Sequence, residues 1–427
     1  MTKILINNNK SLTGNVEVSG SKNAVLPLLA ATLLTDEQCI LDGVPNLRDV
    51  EVMCQLLESF GAEVNIDHNL SRIEVRAANI KTCVAQQELV KAMRASIVAM
   101  GPLLARMGQA GIPLPGGCAI GERPIDLHLK GFSALGAIII NEEQDTSGDI
   151  LISASANNLT GAEVYLDFAS VGATENIMMA ATLAEGTTII ENPAQEPEIV
   201  DLANFLNKMG AHIRGAGTDN MRIEGVGRLH GAEHCVIPDR IEAATFMLAA
   251  AITHGDVVIE NMLSNHVIPV IAKLKECGVK IEDDYSGIRV NATNNNFCAT
   301  NIKTLPYPGF PTDVQPQFMA FLATVPGQSL VLETVFENRF MHIRELNLMN
   351  ANILEEGRRA VINGGAKLVG AHVRATDLRA GAALVLAGLV AEGTTEVSDI
   401  YHIDRGYDNL VRKLAGLGAG IIRIGSA

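Results

Sequence analysis

Apolar residues recur along this chain first at the spacing of a helix and then at that of a strand, with a glycine between the two. Met53, Leu56, Leu57 and Phe60 fall on one helical face, as do Ile199, Leu202, Leu206 and Met209, then Val267, Val270, Leu274 and Cys277, and finally Leu410, Leu414 and Leu417. Each run predicts an amphipathic helix that stops at a glycine, the residue best able to take a left-handed helix terminus. The residues that follow (AEVNI, AHIRG, VKIED, AGIIRI) alternate as a strand does.

A segment of the type apolar-x-x-x-Gly-Ala-x-apolar occurs six times, as LLESFGAEV, FSALGAIII, FLNKMGAHI, KLKECGVKI, INGGAKLVG and LAGLGAGII. Its glycines are Gly61, Gly136, Gly210, Gly278, Gly365 and Gly418, and their mean spacing of about 70 residues is the mark of a duplicated unit. A second strand pattern (EQCILDG, GTTIIEN, GDVVIEN, GTTEVSD) opens at Glu37, Gly186, Gly255 and Gly393, at a nearly constant distance ahead of four of these glycines. The pattern predicts an α/β fold in which one strand-helix-strand unit is copied six times. Solenoid repeats run to about 50 residues at most, so these longer units are expected to close into two domains of three. The division falls between the third and fourth glycines, with Gly225 to Gly231 (GVGRLHG) as the natural hinge.

Composition agrees with large folded cores. The chain has 427 residues, 48% of them apolar and 19% charged, which excludes a disordered polymer and suits two domains. Its formal charge of −15 argues against a nucleic-acid partner held through phosphates. A small anionic substrate would need a local cluster of Arg and Lys. The seven cysteines (39, 54, 83, 118, 235, 277 and 298) include no C-x-x-C pair, which predicts neither a disulfide framework nor a zinc site and points to a reducing compartment. The start, MTKILINNNK, lacks the apolar core of a signal peptide, and the apolar runs 243–252 and 382–390 are too short to span a bilayer. The expectation is a cytoplasmic protein with no membrane partner, and no motif calls for a metal or a cofactor.

Four stretches could carry chemistry. Gly20-Ser21-Lys22-Asn23-Ala24 sets a lysine at the mouth of an apolar helix, where it could meet a phosphate together with free backbone N–H groups; a solvated helix start is the plainer reading. Pro115 to Pro124 (PGGCAIGERP) surrounds Cys118 with glycines and places Arg123 nearby, so the thiol could react or pass a proton and the guanidinium could hold an anion; a buried filler cysteine is the alternative, as for Cys54 and Cys277. Tyr307 to Asp313 (YPGFPTD) is a rigid turn that delivers one carboxylate, either as a base for an alcohol or as a helix cap. Among Arg94, Arg339, Arg344, Arg379 and Arg405, Arg379 stands out at the head of the apolar helix RAGAALVLAGLV. An anion or a carboxylate such as Asp377 is expected to meet it.

Taken together, GSKNA, PGGCAIGERPIDLH, SVGATENIMMAATLAEGTTIIENPAQEPEIVDLANFL, PDRIEAATF, YPGFPTD, ENRFMHIREL, ATDLRAG and IYHIDRGY resemble, in order and over essentially the whole chain, the enolpyruvyl transferase family. The resemblance implies two domains, each an inside-out α/β barrel of three βαβαββ units, with residues 1–21 and 237–427 in one and 22–236 in the other. It implies transfer of enolpyruvyl from phosphoenolpyruvate to the 3-hydroxyl of UDP-N-acetylglucosamine in peptidoglycan precursor synthesis, without a cofactor. The cysteine loop sets that activity apart from transfer to shikimate 3-phosphate, the sister reaction. An inactive paralogue that binds UDP-sugar and regulates is the reading from another class. By the same resemblance Lys22 holds the anionic end of phosphoenolpyruvate, with Arg123, Arg379 and Arg405, while Asn23 contacts the sugar. Asp313 deprotonates the hydroxyl. Cys118 protonates the vinyl carbon and is the site of covalent inhibition by fosfomycin. Arg94, Arg123, Pro124, Ile125, Asp126, Leu127, Phe168, Ala169, Ser170, Val171, Val335 and Arg339 line the substrate site. Some members carry Lys where this chain has Phe168, which implies altered contacts to the UDP phosphates.

Overall fold

The computed structural model describes residues 2–7, 11–114, 125–143, 150–293 and 296–425. These form two compact units, one of residues up to Ser19 and from Pro238 onward, the other of residues 20–114 and 125–237. The described strands make six sheets, three in each unit, five with four strands and one with three. The repeat 163–224 shows the plan. Glu163–Tyr165 runs parallel to Thr187–Glu191, which pairs antiparallel with Asn220–Glu224, and His212–Arg214 closes the edge. Between these strands lie the helices Val171–Ala181 and Pro197–Lys208, giving strand-helix-strand-helix-strand-strand.

The helix-ending turns explain the copied motif. Gly61, Gly136, Gly210, Gly278 and Gly418 have φ between 92° and 108°, where a side chain is strained. After each turn the next residue donates its N–H to the carbonyl five positions back: Ala62 to Leu57, Ala137 to Phe132, Ala211 to Leu206, Val279 to Leu274 and Ala419 to Leu414. The fifth repeat departs from the sequence expectation. Its helix, His342–Leu348, ends at Asn350 with φ 69°, and Ala351 donates to Leu346 in the same way. Gly365 instead follows the strand Arg359–Gly364. Asparagine also tolerates the left-handed region, so a search for glycine passes over it. With Asn350 in place of Gly365, the six turns at positions 61, 136, 210, 278, 350 and 418 are nearly evenly spaced.

Helices fill the inside of each unit. From Ala24 to Ala31, Ala173 to Ala181 and Ile241 to Ile252 every residue is buried, as is every residue of Gln315–Ala323 and Arg379–Gly388. A helix that is apolar all round must be enclosed. In the first unit Gln315–Thr324 packs against both Leu378–Gly388 and Arg240–Ile252. The amphipathic helices, such as Arg48–Phe60, bury one face only. On the sheets the inward positions alternate: Thr188 and Ile190 are buried, their neighbours less so.

Two strands belong to one unit while the helix after them belongs to the other. Thr13–Glu17 pairs with Asp256–Glu260 in the first unit and leads to Lys22–Ala31 in the second. Glu233–Cys235 pairs with Gln38–Asp42 in the second unit and leads to Arg240–Ile252 in the first. The chain therefore crosses at Ser19 to Gly20 and at Ile237 to Pro238. The expected hinge, Gly225–Gly231, lies inside the second unit, because that unit is incomplete until Glu233–Cys235 has joined its sheet. Its backbone is tied there: Gly225 N–H donates to Gly186, Val226 to Thr182 and His230 to Met209. At the first crossing, the Ser19 N–H donates to Glu242 Oε2 at 2.8 Å, and Lys413 Nζ reaches Glu242 Oε1 at 2.7 Å and Ser19 Oγ at 2.6 Å.

Candidate active site

The turn that carries Asp313 is fixed on both sides. Thr312 Oγ1 donates to the buried Glu333 at 2.9 Å, and the Asp313 carbonyl accepts from Gln317 Nε2 at 3.0 Å. Asp313 does not cap the following helix; Gln315–Thr324 has no side-chain cap. Its carboxylate bridges two arginines instead. Oδ1 accepts from Arg339 Nη2 at 2.7 Å and Oδ2 from Arg379 Nη2 at 3.1 Å. The two arginine side chains are 2% and 4% exposed and the carboxylate 28%, so the guanidiniums lie beneath the acid that faces outward.

Arg379 meets Asp313 rather than Asp377. The Asp377 side chain accepts from the N–H groups of Arg379 and Ala380, the cap of helix Leu378–Gly388. The Arg379 guanidinium lies over the Tyr407 ring, 5.4 Å from its centre. Tyr407 is itself held by Thr245 and Gln317, at 2.9 and 3.0 Å. Burial is the largest single influence on Arg379 and opposes its charge, but Asp313, Tyr407 and Asp239 together outweigh it, so its pKa lies above the ordinary value. The trio of Asp313, Arg339 and Arg379 thus holds two positive charges against one negative. Arg379 Nη1 and Arg339 Nε have no acceptor among the described residues. His342, close to Arg339, stays neutral, its pKa pushed to about 4 by burial, with Asp377 opposing and Arg339 adding.

Arg405 is half-buried and ends the short helix Tyr401–Asp404. It sits two positions before Tyr407. Between them Gly406 is buried against the Leu378 side chain, where a Cβ would stand 2.5 Å from Cδ2 and push that side chain aside. Val335 is also half-buried; its N–H and that of Phe336 donate to Glu333 Oε1 at 2.8 and 3.2 Å. Glu333 thereby ties the Asp313 turn to the Val335 loop.

The remaining described candidates belong to the second unit. Lys22 opens its helix after the Ser21 cap, with Asn23 half-buried beside it. It is not the solvated start that spacing alone allows: its side chain is 14% exposed and Nζ lies 2.6 Å from Asp49. Arg94 opens the 3-10 turn Arg94–Ala99. Ile125, Asp126 and Leu127 form the start of helix Asp126–Ala134. Phe168 is exposed, Ala169 and Val171 are less so, and Ser170 caps helix Val171–Ala181 by accepting from Ala173 N–H. Cys118, Arg123 and Pro124 lie outside the described residues. Cys54 and Cys277 are the buried fillers expected, with burial pushing both thiols to about 12.

The model of the EPSP synthase (3-phosphoshikimate 1-carboxyvinyltransferase) family matches residues 6–414. The chain belongs to this family. Among its curated relatives, UDP-N-acetylglucosamine 1-carboxyvinyltransferase 1 of Caldanaerobacter subterraneus subsp. tengcongensis is 59% identical over 422 residues, covering 99% of each chain. The UDP-N-acetylglucosamine 1-carboxyvinyltransferase of Finegoldia magna is 56% identical over 427 residues, again 99% of each. The fold is that of the enolpyruvyl transferase NikO from Streptomyces tendae, with a TM-score of 0.88 at 23% identity over 100% of this chain and 99% of that one. An EPSP synthase from Acinetobacter baumannii gives 0.76 at 19%, over 100% of both.

Sequence reasoning passed over the residues that hold these candidate groups in place: Asp49, Glu333, Gln317, Thr245 and Tyr407. A signal was there for some of them. Thr245 and Gln317 are polar residues on helices that are otherwise largely apolar, and a polar group in such a place needs a buried partner. Asp49 carried no such mark, because an acid in the first turn of a helix is ordinary.

Proposed function

We propose that this chain transfers the enolpyruvyl group of phosphoenolpyruvate to the 3-hydroxyl of UDP-N-acetylglucosamine, with release of phosphate, in the cytoplasm. The observation that carries the reading is Asp313 held between two buried guanidiniums that keep donors to spare. A polyanionic substrate supplies the acceptors that such donors need, and the outward carboxylate stands ready for a hydroxyl.

Cys118 gives its proton to C3 of phosphoenolpyruvate, which leaves cationic character at C2. The sugar hydroxyl attacks C2 as Asp313 takes its proton, and a tetrahedral phospholactoyl species forms. Loss of a proton from C3 and of phosphate from C2 restores the double bond. Lys22, Arg123, Arg379 and Arg405 neutralise phosphate and carboxylate, which stabilises the charge as it moves to the leaving group. Arg94, Arg123 to Leu127, Phe168 to Val171 and Val335 receive the UDP-sugar, and Asn23 its sugar.

Phosphate release from phosphoenolpyruvate tests this with two acceptors. Release with UDP-N-acetylglucosamine and none with shikimate 3-phosphate is expected. Release only with shikimate 3-phosphate would move the chain to the sister reaction, and release with neither would leave a UDP-sugar-binding regulator.

A further inference from the structure

Asn176 lies wholly buried on helix Val171–Ala181. Its amide has only one possible orientation. Oδ1 accepts from the Gly101 N–H at 2.8 Å, and Nδ2 donates to the Ile97 carbonyl at 2.8 Å; reversing the amide would set donor against donor and acceptor against acceptor. Gly101 is required for this approach, since a Cβ there would run into the Asn176 carbonyl. The second N–H of Nδ2 points at His128 Nδ1, 2.8 Å away. That ring nitrogen must accept, so the imidazole is neutral and carries its proton on Nε2.

Burial agrees with this state. It pushes the pKa of His128 to about 4, and the charge of Arg94 lowers it further. Asp126 and Lys130 on the same helix, Glu175 on Val171–Ala181, Glu163 and Tyr165 on one neighbouring strand and Glu142 and Glu143 on the other, Ile138–Glu143, are the other ionisable residues of the described elements packed on that helix. The far side of the ring lies against Gly172, where a Cβ would stand 3.4 Å from Nε2. Gly172 follows Phe168 to Val171, and His128 follows Asp126 and Leu127.

We propose that Asn176 is a positioning residue for the UDP-sugar: it fixes His128 as a neutral imidazole with its donor on Nε2, between the two segments that receive the nucleotide. A charged or reversed imidazole would set a second cation beside Arg94, or an acceptor where a donor is wanted. This rests on the assignment of those segments to the UDP-sugar.

Nitrogen-15 spectra of the histidines, with His128 assigned from its absence in His128→Gln, test the tautomer in the unaltered chain. The expected pattern is a protonated Nε2 and a bare Nδ1 from pH 5 to 8, with the Nε2 signal moved by UDP-N-acetylglucosamine and not by phosphoenolpyruvate alone. A ring that titrates near 6.5, a proton on Nδ1, or a signal indifferent to the nucleotide sugar would overturn the proposal. As a carboxylate, Asn176→Asp cannot donate, so Nδ1 must take the proton. The KM for UDP-N-acetylglucosamine should then rise about tenfold, the worth of one hydrogen bond, while that for phosphoenolpyruvate stays within about twofold. A folded variant with both constants raised equally, or neither, counts against the positioning role; should the variant not fold, the spectra of the unaltered chain decide. A chain with no turnover but the expected spectra would sink the reaction assigned above and not the tautomer.

Discussion

Replacing Glu242 by Gln should change how the first unit responds to pH. Glu242 is 2% exposed, and burial raises its pKa from 4.5 to about 7 even though Lys413 pulls the other way. The folded protein therefore binds this proton more tightly than the unfolded chain does. Its contribution to stability is fully present below pH 4.5 and lost as pH rises through about 7. At about 1.4 kcal/mol for each tenfold in affinity, the swing is about 3 kcal/mol. Glutamine keeps an acceptor for the Ser19 N–H and has nothing to titrate, and Lys413, at 20% exposure, can turn to water. Urea unfolding of both proteins at half-unit steps from pH 4 to 8 measures the difference, compared within the transition of the unit that holds residue 242 because two units need not unfold together. The balance should move toward the Gln variant by about 3 kcal/mol between pH 4.5 and 7.5. A difference that stays level across that window would refute the claim that Glu242 holds its proton in the folded state.

Asp313→Ala should lower kcat by about 10²- to 10⁴-fold, the usual worth of a positioned base, and cost about 3 to 5 kcal/mol of stability because Arg339 and Arg379 lose their shared partner; undiminished turnover would remove Asp313 from the chemistry. Cys118→Ser should escape alkylation by fosfomycin, seen as an unchanged mass after exposure, whereas labelling equal to that of the parent would exclude Cys118 as the target. Gly418→Ala meets open space and strains only φ, so urea unfolding should show a loss of about 1 to 2 kcal/mol. Gly61→Ala should lose more, because its Cβ would also stand 2.5 Å from the Asn79 carbonyl.

The repeats were legible because each copy has to end a helix and start a strand within a short stretch, and that step leaves a mark in single letters. The mark failed once, at Asn350, where a second residue type meets the same backbone demand. The unit boundary was less plain, since Gly225–Gly231 looks like a linker by composition, yet the strand that follows it is bound into a sheet by Gln38–Asp42, far back in the chain. Asp313, Arg379 and Lys22 could be singled out from their positions in turns and at helix starts. Their partners could not: Asp49 and Lys22 lie on different helices, and Asp313 is well separated in sequence from Arg379, so the pairings exist only in three dimensions.

The strand Lys3–Asn7 lies between Thr394–Ser398 and Ile421–Ile424, the last two of the described strands. On the ribosome Lys3–Asn7 is therefore made long before either of its neighbours and remains without its sheet until Ile421–Ile424 has followed. The segment 20–237 can close meanwhile, for its strands all arise within it. Synthesis thus imposes an order on assembly, with the second unit finished first and Lys3–Asn7 waiting as an unpaired edge.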